Sequence, residues 1–392
     1  MDFCSLDCGT LPVSIRTSRF QGRSGVDEYH LALRPTEYGS IETQLAWVFR
    51  AYQRALECME LDDQTAVLRR FFCTDLSNHA AALEAQRFAN RRNAAAPCAV
   101  SWVEQPPLPP ARVALWAYHV NDPDSELAKR QDGPSLTLHR GELSHHWTTG
   151  LTHPAAATSY DQTRRILDKY DAFLRKRGSS LAENVLRTWF FVRDIDVNYG
   201  EFVAARRAFF AQRGLTPDTH FIASTGIEGA SADVAAKVAM DAYAISGVRP
   251  EQVEYLKAPE YLCPTHAYGV TFERATSVAY EDRKHIIVSG TASIDPEGNI
   301  LYPGDFSQQL DHTLENIEAL LEQAGAGLED LCMIIAYVRD PSDHTAARRQ
   351  MLERFGDVPI QVVAAPICRP GWLIEIEGQA IVPATHPDLP AF

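Results

Sequence analysis

The sequence predicts an α+β protein built from three tandem units, each of the order β-β-α-β-α-β-β. The first observation is a weak internal repeat of three apolar runs that each end in an aspartate, at 69–75, 188–194 and 334–340. The second is that an amphipathic helical pattern precedes every run and a shorter one follows it. At 392 residues, the chain is also too long for one ordinary hydrophobic core.

The elements of each unit follow from the same patterns. The longer helices are predicted at 41–61, at 160–176 and from Phe306 to just before Gly325. The shorter helices are predicted at 80–91, 199–212 and 345–355. Two strands close each unit, at 98–104 with 111–120, at 220–225 with 237–246, and at 360–366 with 373–382. Turn formers and charged residues separate the units, which gives boundaries of 1–125, 135–247 and 267–385.

The third long helix has the clearest signals. Asp305 and Gln308 are spaced as a capping box at its start. Five apolar residues then share one helical face: Phe306, Leu310, Leu314, Ile317 and Leu321. We therefore expect this face to be buried against a sheet.

The last strand carries the most unusual chemistry. Apolar and acidic residues alternate from Leu373 to Glu377, which places Glu375 and Glu377 on one face. An edge strand with solvated glutamates and a buried acidic site both fit this pattern. The equivalent of Glu375 is alanine in the other two units, at Ala239 and Ala114, so the fold does not require an acid there.

Composition excludes several classes of protein. A net charge of -14 without a basic cluster argues against a nucleic-acid partner. The start of the chain lacks a signal-peptide pattern, and no run of 18 apolar residues predicts a membrane span, so we expect a cytoplasmic protein. The eight cysteines lack the regular spacing of a disulfide framework or a paired zinc motif, and no metal site is predicted.

The third unit resembles the YjgF/Rid superfamily and, within it, the chorismatases. The segments that carry the resemblance are Phe-Glu-Arg-Ala at 272–275, Val-Ser-Gly-Thr-Ala-Ser-Ile at 288–294, Pro-Gly-Asp at 303–305, Tyr-Val-Arg-Asp-Pro at 337–341, Ile-Cys-Arg-Pro at 367–370 and Ile-Glu-Ile-Glu at 374–377. The resemblance implies YjgF/chorismate-mutase-like units that form an intramolecular pseudo-trimer, with a degenerate first and second unit. It also implies a cleft at a contact of the third unit, no cofactor, and a monomer or a weak homo-oligomer.

The resemblance further implies an enzyme that cleaves the enolpyruvyl ether of chorismate or a related compound. Glu375 is the predicted general acid, because burial and the like charge of Glu377 raise a carboxyl pKa. Cys368 is its predicted catalytic neighbour, and in the family a cysteine there and a glycine at Gly290 accompany 3-hydroxybenzoate as product. A small anionic substrate is expected to contact Arg369, Arg274, Arg339, Tyr268, Gly290, Thr291 and Glu377.

Two alternatives remain open. One is a Rid-type deaminase of enamines or imines, although Ile360 stands where those enzymes carry a substrate-binding arginine. The other is a protein that binds a small molecule without transforming it. Arg187 and Arg206 lie on a predicted strand and helix, where arginines are mostly solvated.

Overall fold

Three six-stranded sheets with the same strand order form the framework of the chain. They are seen in a computed structural model that describes residues 1–7, 9–79, 81–83, 85, 96–124 and 128–392. The strands run β1-β2-β3-β6-β4-β5 in the first sheet, β7-β8-β9-β12-β10-β11 in the second and β13-β14-β15-β18-β16-β17 in the third. The prediction of three tandem α+β units is confirmed.

The strands fall into three sets along the chain. The first sheet contains β1 Asp2–Leu6, β2 Val13–Phe20, β3 Asp27–Pro35, β4 Ala66–Cys73, β5 Ala99–Glu104 and β6 Val113–Asn121. The second contains β7 Ala128–Asp132, β8 Ser135–Arg140, β9 Leu143–Thr152, β10 Val185–Val192, β11 Ala223–Glu228 and β12 Val238–Ser246. The third contains β13 Val253–Leu256, β14 Ala275–Ala279, β15 Arg283–Thr291, β16 Leu331–Val338, β17 Ile360–Ala364 and β18 Ile374–Pro383.

The helices match the predicted positions within a few residues where the structure describes them. They are α1 Ile41–Cys58, α2 Ser159–Arg175, α3 Leu181–Asn184, α4 Ile195–Ala211, α5 Phe306–Gln323 and α6 His344–Phe355. Short 3-10 turns occur at Pro250–Gln252, Thr265–Tyr268, Leu328–Asp330 and Pro341–Asp343. The helix predicted at 80–91 lies for the most part outside the described residues. None of the helices in the described ranges is long and apolar enough to cross a bilayer.

Helix α5 begins where its capping signal predicts. Oδ1 of Asp305 accepts a hydrogen bond from the backbone N–H of Gln308 at 3.0 Å. The side-chain amide of Gln308 donates to Oδ2 of Asp305 at 2.6 Å. The apolar face predicted from the sequence is buried in the structure.

The three sheets face one another around a shared core. This core draws residues from all three units, including Trp116, Trp189 and Ile335. The indole rings of Trp116 and Trp189 meet edge to face, with centroids 6.4 Å apart. Because each sheet buries its inner face against the other two, the units form one folded body with approximate threefold symmetry.

Backbone bridges connect each unit to the next and close the ring. The bridged pairs are Glu104 with Ala230, Ala223 with Glu273, and Pro107 with Val363. Each pair joins the outer strand of one unit, or the segment next to it, to a neighbouring unit. The ring therefore contains three boundaries between units, and the side chains at each boundary differ.

Candidate active site

Glu375 and Glu377 lie on β18, which is an interior strand of the third sheet between β15 and β16. Their side chains are buried, since the two residues are only 6 % and 4 % exposed. Residues two apart on a strand share a face, so both carboxyl groups point the same way. The edge-strand interpretation is therefore wrong.

Both carboxyl oxygens of Glu377 accept hydrogen bonds from side chains of the second unit. Its Oε2 accepts hydrogen bonds from Nη2 of Arg187 at 2.7 Å and from Oγ1 of Thr225 at 2.5 Å. Its Oε1 accepts a hydrogen bond from Nε1 of Trp189 at 2.7 Å. Glu377, which the sequence suggested as a substrate contact, thus joins two units through a buried ion pair.

A related ion pair lies at the boundary between the first and second units. Asp241, the equivalent of Glu377, accepts a hydrogen bond from Nη2 of Arg70 at 2.9 Å, and both side chains are buried. At the third boundary the equivalent position is Trp116, and it lines a small pocket with Ile335. At two of the three boundaries, the acid at the Glu377 position therefore forms an ion pair between units.

The carboxyl group of Glu375 has different surroundings from that of Glu377. Burial raises the pKa of its carboxyl group to about 8, the charge of Glu377 adds to this effect, and Arg187 and Arg274 oppose it. Among the described residues, no group hydrogen-bonds its carboxyl oxygens. A neutral carboxylic acid without a protein partner is a proton donor at neutral pH.

Gly290 makes room for this acid. A Cβ atom at Gly290 would lie 2.0 Å from Oε1 of Glu375 and 3.1 Å from Cγ2 of Thr225. Real Cβ contacts are longer than the first of these distances, so a side chain here would displace the carboxyl group. The glycine of the Ser-Gly-Thr-Ala-Ser motif is needed for the position of Glu375.

The carboxyl group of Glu375 faces a pocket between the second and third units, which we name the acid pocket. Its space is about 500 Å³, including solvent at its mouth. Its lining residues come from both units and combine aromatic, small and basic side chains: Tyr199, Arg206, Ser224, Gly226, Tyr268, Phe272, Arg274, Gly290, Ala292, Ile294, Cys368, Arg369, Trp372 and Glu375.

Three arginines line the acid pocket, and none of them forms an ion pair with a described carboxylate. Nη2 of Arg274 donates to the backbone oxygen of Cys263 at 2.7 Å. The guanidinium of Arg369 lies over the ring of Tyr268 at 4.6 Å. Arg206 donates from Nε to Oγ1 of Thr271 at 3.2 Å. Arg206 and Arg274 are buried, and buried guanidinium groups without counter-ions are costly, so this pocket is suited to an anionic ligand.

The expectation that Arg187 and Arg206 are solvated is wrong. They are 1 % and 2 % exposed, respectively. Burial lowers the pKa of both guanidinium groups. Both belong to the second unit. Arg187 pairs with Glu377 of the third unit, and Arg206 lines the acid pocket that contains Glu375.

Cys368 lies in the acid pocket as a neutral thiol. Burial raises its pKa to about 12, the charge of Glu375 adds to this effect, and a hydrogen bond with Tyr199 opposes it. A thiol in this state is a poor nucleophile at neutral pH. Its place beside Glu375 suits a role in shaping the pocket.

The other predicted residues fall in two places. Tyr268 and Gly290 line the acid pocket. Thr291 is buried, and its Oγ1 donates to the backbone oxygen of Ser289 at 3.0 Å. Arg339 lies outside the lining, where it pairs with Asp196 at 3.3 Å and donates to the carbonyl of Ile367.

The strand registers show which residue of the acid pocket is equivalent to Ile360, the position at which the Rid deaminases carry an arginine. Ile360 pairs with Ile334 in the third sheet, as Ser224 pairs with Thr188 in the second. Ile360 lines a different cleft, whereas Ser224 lines the acid pocket. The residue to compare with the deaminase arginine is therefore Ser224, which is likewise not basic.

No cluster of three or more His, Cys, Asp or Glu side chains in the described ranges is arranged to hold a metal ion. The arrangement in the acid pocket can supply a proton from Glu375 and three positive charges for an anion. Sequence reasoning did not predict Tyr199 and Ser224 as site residues, because the second unit's motifs are degenerate and only the fold brings them near Glu375. Trp372 was not predicted either, although it lies three residues before Glu375 in the same segment.

Sequence comparisons match the third unit. The family described as Endoribonuclease L-PSP matches residues 273–382. A RutC family protein of Pyrococcus abyssi is 35 % identical over 96 residues, which are 24 % of this chain and 76 % of the relative. A RutC family protein of Pyrococcus horikoshii is 33 % identical over 106 residues, covering 26 % of this chain and 84 % of the relative.

Comparison of folds extends over more of the chain. A crystal structure of a chorismatase superposes with a TM-score of 0.62 at 19 % identity. The match covers 81 % of this chain and 93 % of that protein. At this identity the likeness concerns the fold, and it includes more than the third unit.

Proposed function

The chain belongs to the YjgF/Rid family, and on that basis we propose that it is a chorismatase-like enzyme. Its substrate would be chorismate or a closely related enolpyruvyl compound, cleaved at the ether to pyruvate and a ring carboxylic acid. The observation that carries the proposal is Glu375, a neutral acid with a pKa of about 8 facing a pocket with three unpaired arginines.

The reaction begins with protonation of a carbon atom of the substrate, which requires a proton donor next to that carbon. Glu375 gives its proton to the terminal methylene carbon of the vinyl ether, and the electron pair of the double bond forms the new C–H bond. The ether oxygen stabilises the resulting cation as an oxocarbenium ion. A positioned general acid of this kind contributes roughly two to four powers of ten in rate. The carboxylate left on Glu375 is then favoured by the nearby charges of Arg187 and Arg274.

The arginines account for recognition of a dianion. Arg274 and Arg369 enter the pocket from the third unit, and Arg206 enters from α4 of the second. Two carboxylates on a small ring match three guanidinium groups, which bind carboxylates through paired N–H donors. The aromatic rings of Tyr268 and Trp372 flank Arg369 at 4.6 and 5.1 Å and hold it in place.

Two routes lead from the oxocarbenium ion to pyruvate and a ring product. Water can add to the oxocarbenium carbon, after which the hemiketal collapses to pyruvate and a dihydroxycyclohexadiene carboxylate. Alternatively, the neighbouring ring hydroxyl attacks the ring carbon that bears the ether and loses its proton, and the C–O bond to the enolpyruvyl group breaks to release pyruvate. Opening of the resulting epoxide with loss of a ring proton then gives 3-hydroxybenzoate, with no net consumption of water. We favour the aromatic product, because Cys368 and Gly290 match the residues that accompany it in the chorismatases that the third unit resembles.

Incubation of the purified chain with chorismate tests the proposal, with pyruvate measured enzymatically and ring products identified by mass spectrometry. We expect pyruvate release by the wild type and its loss in Glu375→Gln, which keeps size and shape but has no acidic proton. Glu353→Gln is the matched control, since Glu353 is exposed on α6 and far from the chemistry. Full activity in Glu375→Gln would refute the acid assignment.

A second candidate is a Rid-type deaminase, favoured by the family match of the third unit and by Arg206, which offers the acid pocket a guanidinium for a substrate carboxylate. Release of ammonia from a freshly generated iminoacrylate, compared with and without protein, separates the two reactions. Chorismate that binds and is recovered unchanged would instead support the non-catalytic alternative.

A further inference from the structure

A second cleft contains three arginines and lies between the third and first units. It is formed by β2 and β3 of the first unit and by α6 and β17 of the third, and we name it the arginine cleft. Its space is about 510 Å³, including solvent at its mouth. Its lining residues are Ser14, Arg16, Ala32, Arg34, Leu108, Arg348, Met351, Leu352, Ile360, Gln361 and Val362.

The arginine cleft is the threefold equivalent of the acid pocket. Leu33 pairs with Leu115 in the first sheet, as Thr291 pairs with Ile376 in the third. Arg34 therefore stands at the position of Ala292. By the same registers, Ala114 stands at the position of Glu375, so this cleft has gained a cation and has no acid at the catalytic position.

The positive charge of the arginine cleft is only partly compensated by nearby carboxylates. No acidic side chain is among its lining residues, and none of the three arginines forms an ion pair with a described carboxylate. Nη1 of Arg34 is buried without a hydrogen-bond partner in the described structure. Asp357 acts on Arg16 from outside the lining, and it already accepts a hydrogen bond from Ser5 at 2.6 Å.

The electrostatics of Arg34 also favour a bound anion. Burial and, to a smaller extent, the positive charges of Arg348 and Arg16 together lower its pKa to about 10, so it remains a cation at neutral pH. Three cations held together repel one another, and the chain as a whole carries a net charge of -14. A bound anion would remove this repulsion and give the buried N–H of Arg34 an acceptor.

We propose that the arginine cleft binds a compact anion with two or more negative charges, such as a phosphate group or a dicarboxylate. The bound anion is held and not transformed, because Ala114 stands in place of the acid. The side chains of Arg16, Arg34 and Arg348 converge on the anion. The chain would thus carry a ligand site separate from the acid pocket and independent of its reaction.

Isothermal titration calorimetry of the full chain at low ionic strength tests this site, with inorganic pyrophosphate and malonate as separate probes. The variants are Arg34→Met and Arg348→Gln, and the matched control is Arg349→Gln, the next residue on α6, which faces Glu353 at 4.0 Å. Arg369→Gln is included because the acid pocket also contains arginines.

We expect at least one probe to bind the wild type, Arg349→Gln and Arg369→Gln with similar affinity, and to bind Arg34→Met and Arg348→Gln at least about tenfold more weakly. The tighter probe identifies the phosphate or the dicarboxylate class. Arg348 is exposed, so its variant keeps the fold even if Arg34→Met does not. Absence of binding to the wild type, binding that only Arg369→Gln abolishes, or equal binding by Arg348→Gln and Arg349→Gln would overturn the proposal.

Discussion

Arg187 and Glu377 form a buried ion pair across the boundary between the second and third units, with Nη2 and Oε2 2.7 Å apart. The same carboxylate also accepts hydrogen bonds from Thr225 and Trp189. A carboxylate and a guanidinium that are both enclosed by protein depend on each other. Removing either one leaves the other as an unpaired buried charge.

Replacing Glu377 by Ala should therefore destabilise the chain by about 3–5 kcal/mol, the range found when one partner of a buried pair is removed. Denaturant unfolding followed by fluorescence measures the change. Glu353→Ala, on the surface, should change stability little. A double replacement of Arg187 and Glu377 by Met should cost less than the sum of the two single replacements. Additive losses would contradict a direct pair.

The proposed acid role of Glu375 predicts a specific pH dependence. Its pKa is about 8, and the protonated form is the active one. The value of kcat/KM for pyruvate release, which reports the ionisation of the free enzyme, should therefore be constant below pH 7 and fall about tenfold per pH unit well above pH 8. Initial rates between pH 6 and pH 10 give this profile. A rate that rises through pH 8 would indicate a base in place of an acid.

The same pKa predicts how Glu375 affects stability. Folding raises the pKa of this carboxyl group from its ordinary value of 4.5 to about 8, so the folded chain holds the proton more tightly than the unfolded chain does. The stabilising contribution of this proton is full below about pH 4.5 and is lost as the pH rises towards 8. Relative to Glu375→Gln, which stays neutral, the wild type should become less stable across this range. Parallel stability curves for the two proteins, measured by urea unfolding, would disagree with the raised pKa.

Gly290 should tolerate no side chain in the active protein. In Gly290→Ala the new Cβ would displace the carboxyl group of Glu375 from its place, and we expect a loss on the order of 100-fold in kcat, because misplacement by about 1 Å has effects of this size. Circular dichroism should remain unchanged. Gly200→Ala is the control, since a Cβ added there would have no other atom within 4 Å and alanine favours a helix. Equal activity of both variants would argue against the packing of Glu375 on Gly290.

The neutral state of Cys368 can be tested by alkylation. Its pKa is raised to about 12, so little thiolate is present at pH 8. The thiols of Cys4 and Cys58 are exposed, and they should react with iodoacetamide well before Cys368 does. Peptide mass spectrometry over time gives the order of modification. Selective early labelling of Cys368 would identify it as an activated nucleophile.

Much of the fold can be predicted from local sequence patterns. The alternation around Glu375 places two acids on one face, and the spacing from Asp305 onward marks the start and the buried face of α5. Strand position within a sheet cannot be derived in this way, because the alternation at Glu375 is the same for an interior and an edge strand. Pairing with β15 and β16, on both sides, is what encloses the acid.

The composition of the site is less predictable than the fold. Arg206 lies on a helix more than 160 residues before Glu375, and no local pattern distinguishes it from a solvated arginine. Ile360, the position compared with the deaminase arginine, lines the arginine cleft, whereas the equivalent position in the acid pocket is Ser224 of the unit before. Both residues are hard to place from sequence, since the clefts form between units and local sequence describes each unit alone.

The joining of three units in one polypeptide has a consequence for how such a protein can change over evolution. In a ring of identical subunits, each substitution appears in every cleft at once. Here a mutation alters a single cleft. Glu375 can therefore persist in one cleft, while in another its counterpart is Ala114 and Arg34 stands at the position of Ala292. Covalent linkage removes the constraint of identity, and one ancestral cavity can specialise into several that differ in charge.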